Sequence, residues 1–214
     1  MHGRSGQANM TGFMTPRRPL VQAAIDGDLA RVRTLVSAGE GVNDVASNGR
    51  LPIHGAAAND RDRVVAYLIS AGSDIDVRGA DGWTPLHLAC ASGSHRAVRA
   101  LVDGGADVDA VAKGGSTPLH LALVVVLGKE HRELRRQAVR CARRMLERLL
   151  AAGADPKVLD SRGRCPADIA REKGAQTLAL LLEGRSPRTA KAGPERQRFR
   201  NSGCQSGPGM PAAS

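Results

Sequence analysis

The sequence predicts an all-α solenoid in which pairs of antiparallel helices stack side by side. Pro52, Pro85 and Pro118 recur at intervals of 33 residues, each within a closely similar tetrapeptide. A fixed period of this length is typical of repeat proteins, because each unit can bury its apolar face only against its neighbours. Aromatic residues make up 2% of the chain and apolar residues 42%. This composition favours helices packed through small aliphatic side chains over a sandwich or a barrel.

The repeated motif is clearest at residues 84–89 and 117–122, which both read TPLHLA, and a weaker copy, LPIHGA, occupies residues 51–56. The motif and its period resemble the ankyrin repeat, a β-turn followed by two antiparallel helices with a T-P-L-H-x-A signature. The resemblance covers roughly residues 18–184. It implies an ankyrin-repeat solenoid of helix-turn-helix units joined by β-turns.

Residues of the motif are suited to begin and end helices. Thr84 and Thr117 can accept a backbone N–H as N-caps, and the proline that follows already has the φ angle of a first helical residue. A glycine follows each apolar stretch of the predicted second helices, where a left-handed conformation is common. These glycines are Gly39, Gly72, Gly105 and Gly153.

Counting from these anchors gives about five repeats within a domain that spans residues 18–184. The first repeat lacks the histidine motif, as expected of a capping repeat with a polar outer face. The fifth has Asp168 in the position of the histidine and ends the array. The five repeats are predicted near residues 16–45, 46–78, 79–111, 112–159 and 160–184.

The fourth repeat is 15 residues longer than the third, and the extra residues lie near 126–141. Gly128 supplies a turn, whereas residues 130–152 contain neither Gly nor Pro and predict one helix about 30 Å long. An apolar stripe runs along this helix, and arginines follow another face. The apolar residues are Leu134, Ala138, Cys141, Ala142, Met145, Leu146 and Leu149, and the arginines are Arg132, Arg136, Arg140 and Arg143. The arginine face is interpreted as a solvated exterior, a docking surface for an acidic partner, or a nucleic-acid contact.

The net charge of +10 is unevenly distributed along the chain. Residues 128–148 have eight Lys or Arg against three Glu, residues 185–214 have six against one, and residues 1–19 have three against none. The remaining scaffold carries −3, so the basic charge belongs to the insertion and the two ends. We expect residues 1–17 and 185–214 to be disordered basic segments.

The cysteines predict a reducing compartment. Their spacing fits neither a zinc site nor a disulfide framework, and the first residues contain no apolar run typical of a secretory signal. We therefore expect a cytoplasmic or nuclear protein with no transmembrane segment. A short organelle-targeting segment around Arg4, Arg17 and Arg18 is the alternative. The four cysteines are Cys90, Cys141, Cys165 and Cys204.

No group of residues predicts a catalytic, cofactor or metal site. His54, His87 and His120 occur once per repeat, so they should lie in separate layers of the stack rather than around one ion. Their expected role, implied by the resemblance, is to hold neighbouring repeats together. Residues 74–81 contain three aspartates but lack the order of a calcium loop. The sequence also lacks a phosphate-binding loop and a nucleophile elbow, so we expect no enzyme and no cofactor.

The resemblance implies a non-catalytic module that binds a partner protein through its turn tips and the inner face of each first helix. Trp83 is singled out because it is the sole tryptophan, is expected at an exposed turn tip, and belongs to the residue type most enriched in binding hot spots. A ring lying over a neighbouring turn is the alternative. The predicted binding residues are Ser47, Asn48, Arg50, Asn59, Arg78, Asp81, Trp83, Ser92, Lys113, Ser116, Arg162 and Arg164.

Two further functions follow from the same sequence. The basic helix and tail could hold an acidic partner, nucleic acid or an anionic membrane surface. The repeats could instead bind and inhibit an enzyme, as some small ankyrin proteins do. We expect the chain by itself to be a monomer, and the partner's identity is not predicted.

Overall fold

The computed structural model describes residues 19–45, 49–127 and 132–184, and only the backbone within 125–139 and at 142. This part of the chain forms helices and turns without a strand, which confirms the predicted all-α class. The helices form five consecutive pairs. They are α1 (Pro19–Asp26), α2 (Leu29–Ser37), α3 (Pro52–Ala58), α4 (Asp62–Ser70), α5 (Pro85–Ser92), α6 (His95–Asp103), α7 (Pro118–Leu127), α8 (Arg132–Ala151), α9 (Pro166–Glu172) and α10 (Gln176–Leu182).

The helices lie in two layers. The odd-numbered helices pack on one another in chain order to form an inner layer, and α2, α4, α6 and α8 form an outer layer in the same way. Small residues fill the interface between them, since Ala56, Ala57, Ala89, Cys90 and Ala122 are all fully buried. Small side chains let neighbouring helices approach closely, which is why so few aromatic residues suffice for this core.

Helix ends follow the predicted chemistry. Thr84 is extended and its hydroxyl lies 3.4 Å from the amide nitrogen of His87, with Pro85 as the first helical residue of α5. The glycines predicted after the second helices all have positive φ, between 85° and 95°. The backbone therefore reverses after each outer helix at a residue that adopts this conformation without steric cost.

The fourth repeat differs from the third mainly in its second helix. The inner helix α7 has 10 residues against 8 in α5, whereas the outer helix α8 has 20 against 9 in α6. At 1.5 Å per residue α8 is about 30 Å long, as predicted. Met145, Leu146 and Leu149 are buried, so the C-terminal half of α8 occupies the place of an ordinary outer helix. The predicted turn at Gly128 lies outside the described residues.

The repeated histidines join repeats 2, 3 and 4 each to the repeat that follows. In His87, Nδ1 accepts a hydrogen bond from the backbone N–H of Thr84 at 3.2 Å, so Nε2 carries the proton and donates to the carbonyl oxygen of Ser116 at 3.1 Å. His54 and His120 make the same pair of bonds, the outward one to the carbonyl oxygens of Trp83 and Arg164. The predicted structural role of the histidines is confirmed.

Asp168 replaces the histidine in the fifth repeat and keeps only half of its role. Its carboxylate accepts from the backbone N–H of Cys165 at 3.0 Å, as histidine Nδ1 does in the earlier repeats. Hydrogen bonds from Cys165 lower the pKa of Asp168, and Arg171 adds to the effect at 2.7 Å. A carboxylate in this position caps its own helix but has no proton to donate to a sixth repeat.

The stability of the array should fall as the solution becomes acidic. Burial lowers the pKa of His54, His87 and His120 below the ordinary value of 6.5, although the hydrogen bonds to backbone carbonyls oppose this. Below about pH 6.5 the unfolded chain therefore takes up protons that the folded chain does not. The stabilisation that the three neutral rings give the fold is complete above pH 6.5 and is lost as the pH falls towards the lowered pKa values. We expect the urea midpoint to be lower at about pH 5 than at about pH 7.5. An equal or higher midpoint at the acidic pH would contradict the neutral, buried state of the three rings.

Candidate functional site

The loops between successive repeats form a row of similar fingers. We call the described residues of 45–51, which are 45 and 49–51, finger 2, since they lead into the first helix of the second repeat. Residues 78–84, 111–117 and 159–165 are named fingers 3, 4 and 5 in the same way. Each of fingers 3 to 5 is closed by a backbone hydrogen bond of 2.9 to 3.0 Å between its second and sixth residues. The donors are Gly79, Ala112 and Asp160, and the acceptors are Trp83, Ser116 and Arg164. The fifth residue of every finger is a glycine with positive φ, namely Gly49, Gly82, Gly115 and Gly163.

Several residues predicted to bind a partner also tie neighbouring fingers together. Arg78 donates from Nη1 to the carbonyl oxygen of Val111 at 2.6 Å, and Lys113 donates from Nζ back to the carbonyl oxygen of Ala80 at 2.9 Å. These two bonds link fingers 3 and 4, and each finger donates one bond to the other. Sequence analysis missed these links because each uses a backbone oxygen that any residue provides.

The outer pairs of fingers are linked as well. Arg50 and Asp81 form an exposed ion pair at 3.5 Å between fingers 2 and 3. Between fingers 4 and 5, the backbone N–H of Ser161 donates to the carbonyl oxygen of Gly114 at 3.1 Å. All four fingers are therefore held in one row.

Arg164 has its guanidinium engaged within its own repeat. It contacts Asp160 through Nε at 3.1 Å and Nη2 at 2.8 Å, and Glu172 through Nη1 at 2.9 Å. Burial alone would raise the pKa of Asp160, but hydrogen bonds from Arg164 and Arg162 outweigh it and hold that pKa at about 2. Arg164 therefore shapes finger 5 and leaves little of its charge for a partner.

Trp83 lies at the base of finger 3 and not at its tip, which corrects the predicted exposed position. Its carbonyl oxygen accepts from both Gly79 and His54, and its side chain is half-buried against the hydrophobic core. The exposed residues of this finger next to it are Ala80 and Asp81, whereas Gly82 is buried. The ring therefore contributes to the packing of the repeat, and only its outer part is open to a partner.

The other predicted residues vary in accessibility. Ser92 at the end of α5 and Arg162 in finger 5 are exposed, and neither side chain makes a hydrogen bond with another described residue. Asn59 is exposed but donates to the carbonyl oxygen of Gly55 at 2.9 Å. Ser116 is half-buried at the base of finger 4. Ser47 and Asn48 lie outside the described residues.

A second set of contacts between repeats, which sequence analysis missed, uses three positions 33 residues apart. Asn43 Oδ1 accepts from the N–H of Asp74 at 2.9 Å, and its amide donates to the carbonyl oxygen of Gly72 at 3.1 Å. Asp76 and Asp109 likewise accept from the backbone N–H of the following repeat, at 3.0 and 2.9 Å. The 33-residue spacing of Asn43, Asp76 and Asp109 was the feature of the sequence from which these contacts could have been predicted. Asp74 and Asp107 act locally instead, and each accepts from the backbone N–H two residues later, at 3.1 and 3.0 Å.

The predicted arginine face of α8 is partly described. Arg140 and Arg143 are exposed, and Arg143 pairs with Glu147 at 2.7 Å one turn later. Arg132 and Arg136 lie in the helix as predicted, but their side chains are outside the described set.

Within the described residues, no group of three or more His, Cys, Asp or Glu side chains is arranged to hold a metal ion. Cys90 is buried, and burial raises the pKa of its thiol, so it has the character of a core residue and not of a nucleophile. No described helix is long and apolar enough to span a membrane.

This protein is a helical repeat solenoid, as shown by its paired helices, its linked fingers and the equivalent histidines of repeats 2 to 4. Two family models match the chain: one described as ankyrin repeats in three copies, over residues 65–130, and one described as ankyrin repeats in many copies, over residues 35–89. The chain is therefore an ankyrin-repeat protein. Comparison with curated proteins finds no match. Ankyrin repeats generally mediate protein–protein interaction, and proteins built from them are typically non-catalytic interaction modules.

Proposed function

We propose that this chain binds a partner protein on the surface formed by fingers 2 to 5 and the exposed ends of the inner helices. The observation that carries the proposal is the linkage of neighbouring fingers. Arg78, Lys113 and the Arg50–Asp81 pair fix the row before any partner arrives. Binding to an ordered surface loses little conformational entropy on this side, which leaves more of the contact energy for affinity.

The charge of the finger row supports a complementary, acidic partner surface. Arg50, Arg78, Lys113 and Arg162 lie along the row, against the exposed carboxylate of Asp81. The carboxylate of Asp160 is held by Arg164 within finger 5. Charge complementarity of this kind chiefly increases the rate and the specificity of association.

We call the proposed surface, fingers 2 to 5 with the exposed ends of the inner helices, the finger face. Partner capture should depend on its exposed residues whose side chains do not hold the fold together. We expect the variant Ser92→Arg with Arg162→Glu to lose specific proteins from a pulldown, because it alters the shape and charge of the face. The matched control, Thr177→Arg with Lys173→Glu, makes the same charge changes at exposed positions on α10 and after α9. Quantitative mass spectrometry of proteins captured from the native cell should show that the control and the unaltered chain retain the proteins that the Ser92 and Arg162 variant loses.

Thermal unfolding of both variants checks that neither change perturbs the repeats. Surface substitutions away from packed or bonded features usually alter stability by less than about 0.5 kcal/mol. An identical set of captured proteins from both variants would overturn the finger face as the binding site.

A further inference from the structure

The outer helices carry a basic surface that is distinct from the finger row. Helices α1, α3, α5 and α7 of the inner layer contain no Lys or Arg, whereas every helix of the outer layer from α2 to α8 contains at least one exposed arginine. Summed over the repeat scaffold, the net charge is −3, and this sum does not show that the two layers of helices differ in their cations. Among the helices from α1 to α8, the described cations therefore lie on the outer layer, and the other cations of the scaffold lie in the loops or in the fifth repeat.

Five arginines of this surface have no internal partner, whereas others are paired, such as Arg96 with Asp60 and Arg143 with Glu147. Among the described residues, the guanidinium groups of Arg31, Arg63, Arg99, Arg140 and Arg144 make no hydrogen bond or ion pair. The finger cations Arg78 and Lys113 are, in contrast, bonded across the row. Unpaired guanidinium groups can bind carboxylates or phosphates in a bidentate way without first breaking an internal contact.

A groove of about 650 Å³ lies in the middle of this surface, between α4, α6 and α8. Its lining includes the apolar side chains of Ala66, Ile69 and Ala100 and the cations Arg63 and Arg99. Arg148 also lines the groove and forms an ion pair with Asp103 of α6. The groove therefore combines apolar lining residues with free cations.

Helix α8 extends the basic surface away from the groove. Arg140, Arg144 and Arg148 follow one another at intervals of four residues, so they lie on one face of the helix. The last of them lines the groove. The strip of cations thus runs from the groove along the enlarged fourth repeat.

We propose that this surface binds an acidic protein segment whose apolar side chains enter the groove between α4 and α6. Such a segment can pair its carboxylates with Arg63, Arg99 and Arg144 and bury aliphatic groups against the apolar lining residues. This surface lies outside the finger row, so the proposal stands or fails independently of the finger face.

Three observations favour a peptide over a nucleic acid or a membrane. Asp62 and Asp103 lie in the groove among the arginines, where a continuous row of phosphates would be repelled but a peptide can place neutral residues. Tyr67 is the sole aromatic residue among the described outer-helix side chains and is covered by Arg33 at 5.5 Å, so no platform for base stacking exists there. The exposed large apolar residues of the described side chains are Val45, Val111, Val124 and Leu159, none on an outer helix that could insert into lipid.

Fluorescence anisotropy with the full chain tests this assignment. The probe is a fluorescein-labelled dodecapeptide of four Glu-Glu-Leu triplets, and a labelled twelve-nucleotide oligothymidylate serves as the alternative polyanion. The variant Arg63→Gln with Arg99→Gln removes two free cations of the groove. The control, Lys157→Gln with Lys173→Gln, removes the same charge from exposed positions after α8 and after α9. Ala66→Gln fills the groove without changing the charge.

We expect the peptide to bind about tenfold more weakly to the Arg63 and Arg99 variant, as the loss of two ion pairs implies, and less than about twofold more weakly to the control. Ala66→Gln should weaken binding severalfold. Equal losses in the arginine variant and the control would overturn the proposal, as would an unaltered affinity for Ala66→Gln. Tighter binding of the oligothymidylate, lost in the same arginine variant, would show a nucleic-acid surface instead.

Discussion

Replacing His87 with alanine is expected to lower the free energy of unfolding by about 3 kcal/mol, through an unpaired buried amide and the cavity left by the ring. The imidazole is fully buried and connects the third repeat to the fourth. Its removal leaves the backbone N–H of Thr84 without its acceptor at a buried position. The carbonyl oxygen of Ser116 loses one of two donors and keeps Ala112. The largest part of the loss therefore arises at Thr84 and from the cavity.

Urea titrations followed by circular dichroism and by the fluorescence of Trp83, the sole tryptophan, measure this effect. His95→Ala is the matched control, because His95 is a half-buried first residue of α6 that makes no side-chain hydrogen bond with a described residue. It should change the free energy of unfolding by less than about 0.5 kcal/mol. Similar losses for the two variants would show that the bonds between repeats contribute little.

The sequence was sufficient to predict the repeats because the anchoring residues act locally. Pro85 begins a helix and Gly105 reverses the chain whatever the neighbouring repeat contains. Burial of Leu86 follows from the helical period in the same way. The two layers of helices and the lengthened α8 could therefore be predicted from composition, period and helix-ending residues.

The finger row was harder to predict because three of its contacts join residues 33 to 47 positions apart through backbone oxygens, and the fourth is an ion pair between side chains 31 positions apart. The side chain of Arg78 looks like a free surface cation in the sequence, yet it donates to the carbonyl oxygen of Val111. Arg164 likewise pairs with Asp160 and Glu172. Exposure in the repeat motif was thus a poor guide to which charges remain available to a partner.

Trp83 shows the same difficulty for an apolar residue. Its position before Thr84 corresponds to Ser116 and Arg164 in the later repeats, so the motif alone gives no reason for a buried ring. The structure places its carbonyl oxygen in the bond from His54 and packs its side chain against the core. A large ring at the base of a finger therefore stabilises the repeat at a position that smaller residues occupy elsewhere.

Gly115 and Gly163 provide the sharpest test of how closely the fingers approach one another. They occupy the same position in fingers 4 and 5, with φ angles of 76° and 70°. A Cβ atom added at Gly163 would meet no neighbour within 4 Å, whereas one at Gly115 would lie 2.8 Å from the amide nitrogen of Ser161 and 3.1 Å from the carbonyl carbon of Asp160. An alanine at either position would have the same strained positive φ angle, but only an alanine at Gly115 would also clash with finger 5.

Gly163→Ala should cost about 1 kcal/mol, the usual penalty of an L-residue in the left-handed region. Gly115→Ala should cost about 3 kcal/mol, because backbone atoms of finger 5 must also move and the bond from Ser161 to Gly114 is lost. Urea titrations measure both values. Hydrogen exchange should show faster exchange across α9 and α10 in Gly115→Ala, since among the described residues the fifth repeat packs only on the fourth. Equal costs for the two substitutions would mean that fingers 4 and 5 separate freely, and a finger row of that kind could not present a preformed surface to a partner.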